Sequence, residues 1–157
     1  MPQFATAQFG PIDYKEDAVL EFPHGLPAFE DQTQFIAIER PGYSPLVFLQ
    51  SLLQPELCFL TLPVTVVEPR YELSVGNEDL TALDLDTMSR PRIGSEVLCF
   101  AILSVAENRP TTANLLAPVV VNLKNRRAVQ AVRMDAIYSH QHTLGTLMPA
   151  SEGEPCS

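Results

Sequence analysis

With 157 residues, 46% of them hydrophobic, the chain is long enough for one domain with a sizeable core, too short for two ordinary domains and too apolar to be disordered. Its longest apolar runs, Val97 to Leu103 and Ala117 to Val121, fall far short of the roughly 20 residues that cross a bilayer. The net charge of -9 is uneven: residues 1–86 hold 14 of the 19 acids against three bases, and residues 87–157 hold five acids against seven bases, a distribution that repels nucleic-acid phosphates and favours a basic partner.

In chain order, the N-terminus MPQFATAQFGPIDYKED has no basic start followed by an apolar stretch, so no signal peptide is expected. Fourteen prolines and seven glycines then punctuate short β-rich runs. That pattern predicts a mainly β fold, a compact antiparallel β-barrel-like single domain with a few short helices. The predicted strands cover residues 7–14, 18–22, 34–39, 46–51, 57–63, 71–74, 96–105, 119–123 and 128–133. In Phe22 to Glu30, Gly25 supplies conformational freedom and Pro27 fixes φ, so a turn or short helix is expected over 26–32, with Phe22, Leu26 and Phe29 closing one end of the barrel.

A helix is predicted from about Glu78 to Leu83, with Asn77 as N-cap, Glu78 and Asp79 in the first turn, and Leu80 and Leu83 on one face. The run 97–103 is apolar at every position, as expected of a central strand covered on both faces. Thr112 to Leu116 is expected as a short helix stopped by Pro118, with Asn114 and Asn122 bracing loops through their amides. Lys124-Asn125-Arg126 is expected as a hairpin turn, with Asn125 in the left-handed conformation. The segment from Pro149, small, polar and proline-bearing, is expected to be a disordered tail, leaving residues 1–147 as the domain and 148–157 as the tail.

No catalytic constellation emerges. His140 and His142 share one side of a strand but lack a third ligand nearby, and a metal-dependent enzyme built on them is the weakest alternative. Cys58, Cys99 and Cys156 have no CxxC spacing; the first two sit in apolar runs, as free thiols do in a reducing cytoplasm. No cofactor or metal is expected. Candidate contacts are of the protein-docking kind: Phe29 or Glu30 as a rim anchor, and Glu78, Asp79, Asp84 and Asp86 as an acidic patch for a basic partner. Lys124, Arg126, Arg127 and Arg133 form a basic group without interleaved aromatics, better matched to a carboxylate-bearing peptide than to single-stranded nucleic acid. Asn114 completes the candidate residues, the amides of the 111–130 segment being read first as structural.

The stretches FPHGLPAFE at 22–30, FLQS at 48–51, NEDL at 77–80 and TANLLAPVVVNLKNRRAVQ at 112–130, in this order, resemble the flagellar assembly factor FliW family. The resemblance spans about residues 8–142, and departs at Ala28, where the family has glycine. It implies a β-barrel-like fold without catalysis, located in the cytoplasm. It also implies two partners: flagellin, and CsrA, a small RNA-binding dimer that represses flagellin translation. Antagonism of CsrA is implied to be non-competitive, and to couple flagellin translation to flagellar assembly. The alternative is a chaperone that binds flagellin and leaves CsrA alone.

Overall fold

A computed structural model describes residues 2–88 and 90–144. The predicted tail falls outside them. The strands are β1 (Gln3–Thr6), β2 (Gly10–Asp13), β3 (Leu20–Glu21), β4 (Gln34–Ile38), β5 (Val47–Ser51), β6 (Cys58–Pro63), β7 (Val97–Ser104), β8 (Thr112–Ala113), β9 (Val119–Asn122), β10 (Ala128–Gln130) and β11 (His142–Thr143). Two short helices, α1 (Val64–Val67) and α2 (Asn77–Ala82), lie between β6 and β7.

The fold is mainly β and antiparallel, as the sequence predicts. Hydrogen-bonded neighbours follow the order β10-β9-β7-β6-β5-β4-β3, with β8 pairing β7 and β11, and β1-β2 forming a separate hairpin. The sheet curls until its two end strands touch. Glu21 of β3 meets Arg127, just before β10, through one parallel bridge, with the Glu21 N–H donating to the Arg126 carbonyl at 3.0 Å. One bridge is not a ladder, so the barrel is approached without being closed.

Strand periodicity divides the interior in two. Val97, Cys99, Ala101 and Leu103 of β7 join one core cluster with Val120, Val129, Leu62, Val64 and Leu83, whereas Phe100 joins the other with Phe22, Phe35, Leu49, Val119 and Val121. This is the two-sided burial expected of the all-apolar run. Leu98 departs from it: it is 37% exposed, at the end of the strand near a surface groove.

Several predicted elements differ. Residues 7–14 are not one strand. Thr6 folds the chain back, its hydroxyl donating to the Gly10 carbonyl and accepting from the Phe9 N–H, both at 2.8 Å, which makes the β1-β2 hairpin. Residues 71–74 form no strand; Tyr71 is instead tied by its hydroxyl to the Leu115 carbonyl at 2.8 Å. Residues 112–116 form β8 and a turn, because the Asn114 amide oxygen accepts from the Leu116 and Ala117 N–H groups at 3.1 and 2.9 Å and competes with a helix for those donors. The β-branched run Val64–Val67 forms one helical turn, because burial of Val64 and Val67 outweighs weak helix propensity.

Candidate functional site: an acidic face around a short helix

α2 starts one residue earlier than predicted. Gly76 occupies the N-cap position and Asn77 is the first helical residue, with no side-chain cap bond. The predicted faces hold: Leu80 and Leu83 are buried, Glu78 is exposed and Asp79 is half-buried. Burial, helped by the neighbouring Glu78 charge, pushes the Asp79 carboxyl above its usual value, while nearby His24 pulls it down.

The other end of α2 is held by the segment that the sequence marks as most specific. A six-residue helix leaves its last carbonyls unpaired. Here the β9-β10 hairpin pairs them: the Leu83 carbonyl accepts from the Asn122 and Asn125 amides at 2.8 and 3.2 Å, and the Ala82 carbonyl from the Arg127 guanidinium at 3.4 Å. Asn122 also accepts from the Lys124 N–H at 2.9 Å, so the expected bracing role of Asn122 is realised at a helix end. The left-handed residue of the hairpin is Arg126, with φ of 63°, not Asn125. Asn125 stays out of that conformation because its amide oxygen accepts from the Arg127 N–H at 2.9 Å.

Asp84 follows the helix at φ of 63°, with its N–H donating to Thr81 O and the next N–H, of Leu85, reaching back to Leu80 O at 2.8 Å. This is a Schellman-type stop whose left-handed position glycine fills best. Asp84 and Asp86 are exposed and, with Glu96, Lys124 and Leu123, line a cleft of about 460 Å³. The fold thus brings Asp84 and Asp86 of the first half to the basic hairpin of the second.

Phe29 is half-buried, edge-on to Phe59 at 5.6 Å, and Glu30 accepts from the Ala28 N–H at 3.2 Å. Gly25 and Ala28 both have positive φ, 65° and 70°. A Cβ on Gly25 would lie 2.5 Å from the Glu30 carbonyl oxygen, so the glycine is required twice over. Asn114 is not part of this face. Register puts Asn122 beside Val97 at one end of β7 and Thr112 beside Ser104 at the other.

Sequence reasoning missed the best-anchored cluster of the chain. The Arg133 side chain is 3% exposed and binds both Asp135 oxygens, at 2.8 and 3.0 Å. It also donates to the Glu72 carbonyl and lies over Tyr138 and Tyr71, which stack at 4.5 Å. Arg133-x-Asp135 was the available signal, a pair that can share one side of an extended segment. Cys58 and Cys99 are pushed up by burial to about 11 and about 12, which keeps both thiols protonated and poor nucleophiles. His142 lies in β11 and His140 in the turn before it; among the described residues no three His, Cys, Asp or Glu side chains gather as a metal site.

The model of the FliW protein family matches residues 3–144. The chain belongs to the FliW family. It is 32% identical over 143 residues to the flagellar assembly factor FliW of Syntrophomonas wolfei, covering 90% of this chain and 88% of that one. It is 32% identical over 152 residues to the flagellar assembly factor FliW of Bacillus subtilis, covering 96% and 97%. A crystal structure of the flagellar assembly factor FliW superposes with a TM-score of 0.78 at 30% identity, covering 91% of this chain and 96% of that one. The match covers α2, the hairpin that ends it and the 22–30 turn. The relatives are named as assembly factors and not as enzymes, and among the described residues no helix is long and apolar enough to cross a membrane.

Proposed function

We propose that this flagellar assembly factor acts in the cytoplasm without catalysis, by binding the translational repressor CsrA and, alternatively in time, flagellin. It opposes CsrA non-competitively and so couples flagellin translation to flagellar assembly. The observation that carries the CsrA part is Asp84. It occupies a left-handed helix-stop position that favours glycine, and puts a negative charge at a helix C-terminus, where the dipole disfavours it. Two local terms oppose a carboxylate at this position, which supports a role for it in binding.

Exposed Glu78, Asp84 and Asp86 with half-buried Asp79 give that face the charge that attracts a basic RNA-binding protein. The same charge, held beside an RNA path, repels phosphates without occupying the site. Arg127 reaches the end of α2 and Arg126 precedes it in the same hairpin, Phe29 and Glu30 form a separate rim, and Asn114 lies apart from both. The domain is taken as residues 1–147.

Mixing the purified protein with CsrA and with flagellin on a sizing column tests both partners. Co-elution with each is expected; co-elution with flagellin alone would leave a flagellin chaperone. Reversing Glu78, Asp79, Asp84 and Asp86 to lysine should weaken CsrA binding by at least about tenfold. Unchanged affinity would remove the acidic face from the interface.

A further inference from the structure

The strand that follows the basic hairpin carries groups that the acidic face does not use. Pairing with β9 engages alternate residues: Arg127 O accepts from Asn122 N–H at 2.8 Å, Ala131 N–H donates to Pro118 O at 2.9 Å, and Arg133 N–H to Leu116 O at 2.9 Å. The backbone of Gln130 and Val132 therefore points away from β9. Among the described residues β10 has β9 as its one ladder partner, and neither of those N–H groups has a hydrogen-bond partner. β3 covers only the start of this edge, through the isolated Glu21–Arg127 bridge.

Side chains along the same edge alternate. Ala131 and Arg133 are buried, whereas Val132 and Met134 are 52% and 95% exposed. The buried guanidinium of Arg133, gripped by Asp135 and Glu72 and covered by Tyr71 and Tyr138, holds the alternation in register. Exposed apolar side chains on a rigid edge with unused backbone groups are a template for one more strand.

We propose that the edge from Gln130 to Met134 docks an extended segment of a protein partner, added as a strand. That segment has apolar side chains at alternate positions, to meet Val132 and Met134, and a carboxylate toward Arg126 and Arg127. The free backbone groups call for an extended chain, since a helix has none to offer. Arg126 and Arg127 have no ion pair among the described residues, so a carboxylate at that end meets unneutralised charge. A second copy of this chain is disfavoured as occupant, because each copy carries a net charge of -9. Because Arg133 already holds the edge in place, ordering it adds little to the cost of binding.

The test is titration of the isotope-labelled full chain with a hexapeptide alternating threonine and valine and ending in glutamate. Shifts should concentrate at Gln130 to Met134, and amide exchange at Gln130 and Val132 should slow by about tenfold or more. N-methylation of the peptide at alternate residues, which removes its backbone donors, should cost at least about tenfold in affinity. Val132→Pro should do the same, since the lost N–H pairs with nothing in the free protein; if that variant does not fold, the methylated peptide decides. The proposal is overturned by absent binding, by binding indifferent to methylation, or by exchange at Gln130 and Val132 already slow without peptide. Self-association abolished by Val132→Pro would also overturn it, assigning the edge to a second copy.

Discussion

Gly25 and Ala28 occupy left-handed positions three residues apart, and only one of them is a glycine. At Gly25 a methyl group would collide with the backbone of Glu30. Gly25→Ala should therefore destabilise the fold by about 1–3 kcal/mol, read as a lower urea midpoint at unchanged slope. At Ala28 the strain is already present, so Ala28→Gly should stabilise by about 1 kcal/mol in the same measurement. Asp84 has the same backbone cost plus an adverse helix dipole, and Asp84→Gly should raise stability by about 1 kcal/mol while weakening CsrA binding. A gain in stability with CsrA affinity intact would make Asp84 a structural residue only. The sequence shows where turns fall, since Gly25 and Pro27 are strong punctuation. It does not show that Ala28, Asp84 and Arg126 adopt glycine-like angles, because their neighbours impose those angles.

α2 is too short to be stable alone; buried Leu80 and Leu83 and the β9-β10 hairpin hold it. Asn122 is the hinge of that arrangement, buried and bonded to the Leu83 carbonyl and to the Lys124 N–H. Asn122→Ala should cost about 1–3 kcal/mol by removing the shorter of the two bonds to the buried Leu83 carbonyl and the acceptor of the Lys124 N–H, and hydrogen exchange should quicken in α2 before the sheet opens. The pair Arg133–Asp135 gives a second expectation. The bidentate Arg133 guanidinium holds the Asp135 carboxyl below its usual value. A depressed carboxylate stabilises the fold above its unfolded value of about 3.9, and that stability is lost as pH falls through the lower, folded value. Urea midpoints should therefore fall more steeply on acidification in the wild type than in Asp135→Asn. Equal slopes would mean that the pair contributes nothing.

Across the molecule the charge asymmetry along the chain does not become two opposed faces. Lys124 lines the same cleft as Asp84, Asp86 and Glu96, and Arg127 caps the acidic helix. The acidic face is thus fringed by bases, which narrows the region that attracts a cation. Association with CsrA should slow as salt rises, and less so after the four-residue charge reversal. The short-strand pattern, the all-apolar central strand, the amphipathic short helix and the family motifs were legible in the residues, because each depends on local spacing and on burial. The hairpin at the N-terminus, the β8 turn and the Arg133 cluster were not, because each depends on a hydrogen bond whose partner a linear pattern does not rank.

By itself, the sequence determined a mainly β chain of the FliW kind, with an acid-rich first half, a short helix opening within a residue of Glu78 and asparagines that brace loops. Only the tertiary structure decided that Asn122, with Asn125, ends that helix while Asn114 holds the β8 turn, and that acids and bases distant in sequence share one cleft. It also decided that, among the described residues, no strand pairs the edge beyond β10. The reason is physical. Periodicity and turn chemistry act over a few residues, whereas helix capping, charge neighbours and strand edges arise from which segments the curled sheet brings together.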